Sequence, residues 1–182
     1  MRKFWLIIAS LLILIYLTLE FLSPVRIGSN GGLVISESIN IEKPVSEVFT
    51  YMGNSDNASI WSVYVHHIEL LSGQDGKKGC VRRCFKGEDS TDIHWDETIL
   101  EVVTDKYRKL NIYNAHHFPI YTEGLTTEQI YTGSDSSCSL TLSLCLPADA
   151  GFFDRLKFKI GAFVVSDVFE GNLHNIQNEL SK

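Results

Sequence analysis

The stretch from Cys138 to Leu180 reads CSLTLSLCLPADAGFFDRLKFKIGAFVVSDVFEGNLHNIQNEL, and its hydrophobic period changes once along its length. Up to Leu146, leucines alternate with serine, threonine and cysteine, which is typical of a β-strand with one buried face. After Asp149 the apolar residues recur at the spacing of an amphipathic helix that continues to the carboxyl end. At about 30 residues such a helix is roughly 45 Å long. The segment therefore predicts a last strand followed by one long helix.

The chain upstream of this segment predicts six further strands and two short helices. The second short element, NSDNASIW, is predicted as a short helix or a turn, and the first begins near Pro44, with Val45, Val48, Phe49 and Met52 at helical spacing. The strands are expected at Leu33–Ile41, Val63–Leu71, Cys80–Phe85, Asp92–Val103, Tyr107–Asn114 and Leu125–Tyr131. A seven-stranded antiparallel sheet with one apolar face must cover that face, and the long helix is the element that can do so. We therefore expect an α+β fold whose sheet wraps around the carboxyl-terminal helix.

This order of elements resembles the SRPBCC superfamily, which is also called START-like or helix-grip, and within it the polyketide cyclase/dehydrase-like group. The similarity covers residues 33–181 and includes the closing helix. It is carried by VISESINIEKPVSEVFTYM, NASIWSVYVHHIELL, GKKGCVRRCF and WDETILEV. The resemblance implies an elongated cavity between sheet and helix that holds a hydrophobic small molecule or lipid. It implies no catalytic residues, so function has to be argued from the residues that line the cavity.

The amino-terminal segment differs in composition from the rest of the chain. Phe4–Leu19 carries no charge, follows Arg2 and Lys3, and is extended by Phe21 and Leu22. About 20 helical residues span a bilayer core of ~30 Å, and no A-x-A-like cleavage site follows the run. These features favour an uncleaved single-pass membrane anchor over a cleaved signal segment. The positive-inside rule then places the domain on the extracytoplasmic side of a membrane.

The composition divides the chain into three parts. Residues 1–22 are the expected transmembrane anchor or signal segment, residues 23–32 (SPVRIGSNGG) a flexible tether, and residues 33–182 the helix-grip domain. The net charge of -6 makes nucleic acid an unsuitable partner. On a strand, Cys80 and Cys84 would be about 13 Å apart, which excludes a disulfide between them.

Two carboxylates are expected on the inward face of the sheet. Glu37 alternates in phase with isoleucines of the first strand, and Glu97 is in phase with Ile93, Trp95 and Ile99. A buried carboxylate must be paired or neutral, and Arg82 or Arg83 could supply the partner. Three roles stay open for these groups: structural pairing, recognition of a ligand's polar head, and acid/base catalysis.

Two histidine pairs, His66–His67 and His116–His117, invite a metal-binding interpretation. Adjacent strand residues point to opposite faces, and neither an H-x-x-x-H nor an H-x-H spacing is present, so no metal site is predicted. The resemblance to the helix-grip fold implies that the connection after the strand at 107–114 lies at the mouth of the cavity. There it would form an aromatic rim with polar tips, made of His116, His117, Phe118, Pro119 and Tyr121. The alternative is a surface hairpin loop with incidental histidines.

The leading functional hypothesis is therefore a membrane-anchored domain that binds a hydrophobic ligand without a cofactor. The expected ligand-binding residues are Trp61, Trp95, Glu37, Glu97, Arg82, His116, Phe118, Tyr121 and Phe163. One alternative is a cyclase, dehydratase or hydrolase-like enzyme that uses Glu37 or Glu97, although the chain has no nucleophile elbow, phosphate-binding loop or CxxC motif. Another is a domain whose cavity is filled by side chains and which acts through protein partners.

Overall fold

The computed structural model describes residues 2–88, 93–118 and 121–182. The helices are α1 Arg2–Leu22, α2 Val45–Gly53, a 3₁₀ turn Ser55–Asn57, α3 Ala58–Trp61 and α4 Phe152–Leu180. The strands are β1 Arg26–Ile27, β2 Leu33–Ile41, β3 His67–Ser72, β4 Val81–Phe85, β5 His94–Val103, β6 Tyr107–His116, β7 Thr126–Gly133 and β8 Cys138–Leu146.

All strands form one antiparallel sheet in the order β1-β2-β8-β7-β6-β5-β4-β3. The predicted α+β class, the antiparallel sheet and the long carboxyl-terminal helix are confirmed. The predicted strand number of seven is wrong, because β1 extends the sheet edge by pairing Arg26 with Val34. Part of the expected tether thus belongs to the sheet. Its Gly28–Gly32 segment closes a tight turn, in which the N–H of Gly28 donates to the Gly32 carbonyl at 2.8 Å.

Several strand boundaries differ from the expectation by one or two residues, and the start of one strand differs by four. The strand predicted from Val63 begins at His67, because the Ser62 hydroxyl accepts hydrogen bonds from the backbone N–H groups of Tyr64 and Val65 and so forms a turn. The strand predicted to end at Asn114 continues to His116. The expected start of the fourth predicted strand at Asp92 lies outside the described residues.

The core lies between the concave face of the sheet and α4. The leucines of β8 and the isoleucines of β2 are on this face, as their alternation predicts, and Leu140 and Ile35 are fully buried. From α4, Phe158, Ala162 and Ile176 are fully buried against them. With this packing α4 lies across the concave face of the sheet, and a space remains between the helix and the sheet.

The amino-terminal helix α1 meets the rest of the chain near Lys159 of α4. Lys159 forms an ion pair with Glu20, and the Ser23 hydroxyl donates to the Lys159 carbonyl at 3.3 Å. Within the part of the chain that the structure describes, no helix has both the length and the hydropathy needed to cross a membrane.

Candidate functional site

A cavity of about 310 Å³ lies between the sheet and α4. Its wall combines aromatic and aliphatic side chains from α3, the turn before β3, strands β3–β8, the connection after β6 and one side of α4. The apolar part of this wall includes Trp61, Tyr64, Val65, Ile68, Trp95, Ile112, Phe118, Leu142, Leu144, Val165, Val168 and Phe169. The filled-core alternative requires side chains to fill this space, and they do not.

A buried ion pair between Arg82 of β4 and Glu97 of β5 lies on the sheet side of the cavity. Arg82 Nε and Nη2 donate to Glu97 Oε2 at 2.9 and 2.8 Å, and the Trp95 indole N–H donates to Glu97 Oε1 at 3.0 Å. Arg82 and Glu97 are cross-strand neighbours in the register of β4 and β5. Pairing therefore follows from the strand alignment, and it satisfies both oxygens of the carboxylate.

The guanidinium of Arg82 is held on its other side by a polar network under α2. Its Nη1 donates to the Ser55 hydroxyl at 3.1 Å, and that hydroxyl donates to Asp75 at 2.7 Å. Burial alone would lower the pKa of Arg82, but the Glu97 carboxylate outweighs it and the pKa lies above its usual value. Arg82 is therefore a permanent cation on the cavity wall.

The neighbouring Arg83 lies on the opposite face of the sheet and does not reach the cavity. It forms a bidentate pair with Asp96, at 2.7 and 3.0 Å, and Asp96 also accepts from Asn114 at 2.9 Å. Of the two arginines that the sequence offered as partners, Arg82 is thus the one that pairs with Glu97.

A second buried arginine, Arg108 of β6, lies behind the cavity wall. Its Nη1 donates to Gln129 Oε1 at 2.7 Å and to the Tyr131 hydroxyl at 3.1 Å, and the guanidinium packs over the Phe49 ring at 4.5 Å. No carboxylate among the described residues pairs with Arg108, and its Nε has no hydrogen-bond partner there. Burial accordingly lowers the pKa of Arg108.

Five of the nine residues that the sequence predicted for the site come together on the cavity wall. They are Trp61, Arg82, Trp95, Glu97 and Phe118. The aromatic members contact one another, since Trp95 lies 5.2 Å from Phe118 between ring centroids. The remaining four predicted residues lie elsewhere.

Two of these four are displaced by the way α4 packs. Glu37 faces α4 as expected, but its carboxylate accepts a hydrogen bond from Ser166 and joins β2 to the helix. Phe163 is 43% exposed on the outside of α4, because the small Ala162 occupies the inward position one residue earlier. Neither belongs to the cavity wall.

The expected aromatic rim is also only partly formed. Tyr121 packs against the core cluster that contains Trp95, and its carbonyl accepts from Lys157 at 3.5 Å. His116 is exposed and turned away from the cavity, and Pro119 lies outside the described residues. Of the proposed rim, Phe118 is the residue that lines the cavity.

The histidines form a stacked row along one end of the sheet. His67 stacks on Phe85 at 4.3 Å, His94 on His116 at 4.9 Å, and His116 on His117 at 4.0 Å. The adjacent His117 lowers the pKa of His116. In the described part of the chain, no three histidine, cysteine or carboxylate side chains are placed to share a metal ion.

The sequence analysis missed several polar residues of the cavity wall, among them Gln129 and Asn172. Each left a weak signal: Gln129 is in phase with Tyr131 on an inward strand face, and Asn172 continues the apolar stripe of α4 between Phe169 and Ile176. A polar residue at an inward position is the pattern that could have identified them.

Comparison with solved structures finds this fold in proteins of low sequence identity. The Zhui aromatase/cyclase from Streptomyces sp. R1128 has a TM-score of 0.63 at 13% identity, over 81% of this chain and 93% of that chain. The major latex-like protein 151 from Panax ginseng has a TM-score of 0.61 at 12% identity, over 82% and 97%. A protein from Nitrosospira multiformis has a TM-score of 0.62 at 12% identity, over 81% and 95%.

No protein-family model and no curated protein sequence matches the chain. The likeness to these solved structures shows that the chain shares their fold, which in this protein is an antiparallel sheet around a long carboxyl-terminal helix, a helix-grip arrangement.

Proposed function

We propose that this protein binds a hydrophobic small molecule or lipid in the cavity between the sheet and α4. The observation that carries the proposal is the cavity itself, with its volume of about 310 Å³ and a wall that is mostly aromatic and aliphatic. Small-molecule sites are typically apolar cavities of about 300–1,000 Å³ with a few convergent polar groups. The Arg82–Glu97 pair, Gln129 and Asn172 are such groups.

We further propose that the amino-terminal segment holds the domain at a membrane, on the extracytoplasmic side. The support is the uncharged run Phe4–Leu19 behind Arg2 and Lys3. Several side chains of α1 are exposed apolar residues, including Trp5, Leu14 and Phe21. A domain tethered in this way would take its ligand from, or return it to, the adjacent bilayer.

A catalytic role for the two inward carboxylates has no comparable support. Glu97 is engaged by Arg82 and by the Trp95 indole, and Glu37 is engaged by Ser166. An acid/base pair would need a carboxylate and a second titratable group converging on one point of the cavity. Structural pairing is the role that their contacts favour.

The test is native mass spectrometry of the full-length chain, released from detergent micelles in the gas phase, with identification of any retained molecule. We expect a stoichiometric apolar ligand. Val168→Trp, which fills the cavity from α4, should abolish its retention. The matched control Phe163→Trp adds the same side chain on the outside of the same helix and should leave retention unchanged. Bare protein that also fails to take up added apolar molecules would contradict the proposal.

A further inference from the structure

Several polar side chains of the cavity wall present a hydrogen-bond donor without a partner, and Asn172 is the first of them. Its Oδ1 accepts a hydrogen bond from the backbone N–H of Val63 at 2.8 Å. Because a backbone N–H can only donate, this contact determines which end of the amide is oxygen and which is nitrogen. The residue is 6% exposed and lines the cavity, and its Nδ2 has no acceptor among the described residues. Asn172 thus offers the cavity a donor.

The hydrogen bonds of Gln129 likewise determine which end of its amide is oxygen and which is nitrogen. Its Oε1 accepts from Arg108 Nη1 at 2.7 Å and from the Tyr131 hydroxyl at 2.7 Å. An arginine N–H can only donate, so the amide oxygen is on the Arg108 side and Nε2 is the end turned away from it. Gln129 is 8% exposed and lines the cavity, and no described residue accepts from its Nε2.

Ser62 adds a third donor to the same end of the cavity. Its Oγ accepts from the backbone N–H groups of Tyr64 at 3.1 Å and Val65 at 2.9 Å. These two bonds use both lone pairs of the hydroxyl and leave its O–H to donate. One buried cluster contains Tyr131, which bonds Gln129, and Trp61, which precedes Ser62, packs against it. Asn172 bonds Val63, which follows Ser62. The three donors therefore belong to the half of the cavity near α2 and α3.

The carboxylates of the wall are already engaged, since Glu128 forms an ion pair with Lys109 at 3.1 Å and Glu97 is bound on both oxygens, and the Ser143 hydroxyl is hydrogen-bonded to Ser36 at 3.0 Å. Both oxygens of Glu97 take hydrogen bonds from Arg82 or Trp95. The wall therefore presents more free donors than free acceptors, with the Thr127 hydroxyl able to serve in either role. A ligand that supplies acceptors would satisfy these donors where they face the cavity.

The positive charge of Arg108 behind the cavity wall also favours a ligand that carries acceptors. Arg108 is 2% exposed and has no carboxylate partner among the described residues, whereas the charge of the other buried arginine, Arg82, is balanced by Glu97. A hydrogen bond from a cation to Gln129 Oε1 polarises the amide and strengthens its Nε2–H as a donor. An anion placed at Nε2 would therefore also be attracted by the arginine behind it.

We propose that the ligand is a hydrophobic molecule with a carboxylate at its polar end, and that Gln129, Asn172 and Ser62 bind this carboxylate. The inference rests on the proposed function, because it names the chemical class of the molecule that the cavity holds. A carboxylate is acceptor-only and anionic, and it matches both the donor set and the uncompensated Arg108. An alcohol matches the donors in part, and an ammonium group matches neither feature.

The test uses the full-length chain and a photoreactive diazirine derivative of a sixteen-carbon fatty acid, with labelled sites located by peptide mass spectrometry. Four unlabelled competitors with the same alkyl chain end in a carboxylate, a methyl ester, an alcohol or an amine. We expect the acid to compete about tenfold or more better than the alcohol and the amine, with the ester in between. Labelled peptides should include the wall of the cavity.

Variants that remove a donor without changing shape sharpen the test. Asn172→Asp keeps the oxygen that accepts from Val63 and removes the N–H donor, and Gln129→Glu does the same beside Arg108. Each should weaken competition by the acid about tenfold, whereas Asn178→Asp, the same change at an exposed position of α4, should not. Thermal unfolding of each variant establishes that it is folded, and Asn172→Asp alone suffices if Gln129→Glu does not fold.

The possible outcomes separate the two proposals. If no cavity residue is labelled and no competitor displaces the photoprobe, the assignment of a carboxylate ligand fails, and the proposed function fails with it when native mass spectrometry also finds bare protein that takes up no added apolar molecule. If all four compete equally, the cavity binds alkyl chains but the assignment of a carboxylate fails. An ester that competes as well as the acid, or an acid whose competition is unaffected by both isosteric variants, would also overturn it.

Discussion

At the scale of single residues, Glu97 is the side chain whose contacts organise the polar side of the cavity. Glu97→Gln leaves Arg82 as a buried cation without its counter-charge, because the amide is neutral, and it sets an N–H₂ group against either Arg82 or the Trp95 indole N–H. Breaking a buried ion pair by removing one partner typically costs about 3–5 kcal/mol. We expect the free energy of unfolding to fall by about that amount in urea titrations followed by tryptophan fluorescence.

A surface ion pair provides the control for this prediction. Lys43 and Glu47 are 3.2 Å apart with side chains 35% and 46% exposed. Exposed pairs of this kind contribute about 0.5 kcal/mol or less, so Glu47→Gln should change the unfolding midpoint little. Equal losses for Glu47→Gln and Glu97→Gln would show that the buried pair has no special role in stability.

At the scale of elements, α4 has one face that is buried against the sheet and one that is exposed. Ile176 is fully buried against the sheet, whereas Phe163 is 43% exposed on the outside. Ile176→Ala should therefore destabilise the domain by about 2–5 kcal/mol through lost burial and the remaining cavity. Phe163→Ala removes a larger side chain but should cost less than about 1 kcal/mol, because little of it leaves the protein interior. Thermal or urea unfolding of both variants checks this, and a larger loss for Phe163→Ala would mean that the helix is rotated.

At the scale of the whole molecule, α1 and the domain should be separable. A described contact between α1 and the domain is the ion pair of Glu20 with Lys159, and Ser23, which follows α1 and donates to the Lys159 carbonyl, is kept in the deletion. Deleting residues 2–22 removes a partly exposed ion pair and should change the free energy of unfolding by no more than about 1 kcal/mol. The same deletion should move the protein from the membrane fraction to the soluble fraction of lysed cells.

Two results would contradict that expectation. A loss of stability comparable to that of Ile176→Ala would make α1 part of the folded domain. Unchanged partition between membrane and soluble fractions would remove the proposed anchoring role. In intact cells, a membrane-impermeant amine reagent should label Lys182 of the full-length chain if the domain is extracytoplasmic.

The candidate site was predictable where a residue's position follows from strand alternation. Trp95, Glu97 and Arg82 lie on inward faces of β5 and β4, and the cross-strand register joins the last two. His116 and Tyr121 lie in or beside a connection, where no period constrains the side chain. Phe163 shows the corresponding limit on a helix. The apolar stripe of the 29-residue α4 fixes its buried face only approximately, and a small rotation of the helix about its axis places Phe163 on the exposed side.

The sequence by itself determined the class of this protein, because periods of two and of 3.6 are local properties of the chain. Seven strands, two short helices and the long α4 follow from them, and so does the need for α4 to cover the sheet. Only the tertiary structure decided what the cavity offers a ligand. The amide orientations of Gln129 and Asn172 depend on Arg108 and Val63, and Val63 is 109 residues from Asn172 in the chain. Hydrogen-bond partners brought together over such separations leave no periodic trace in the sequence.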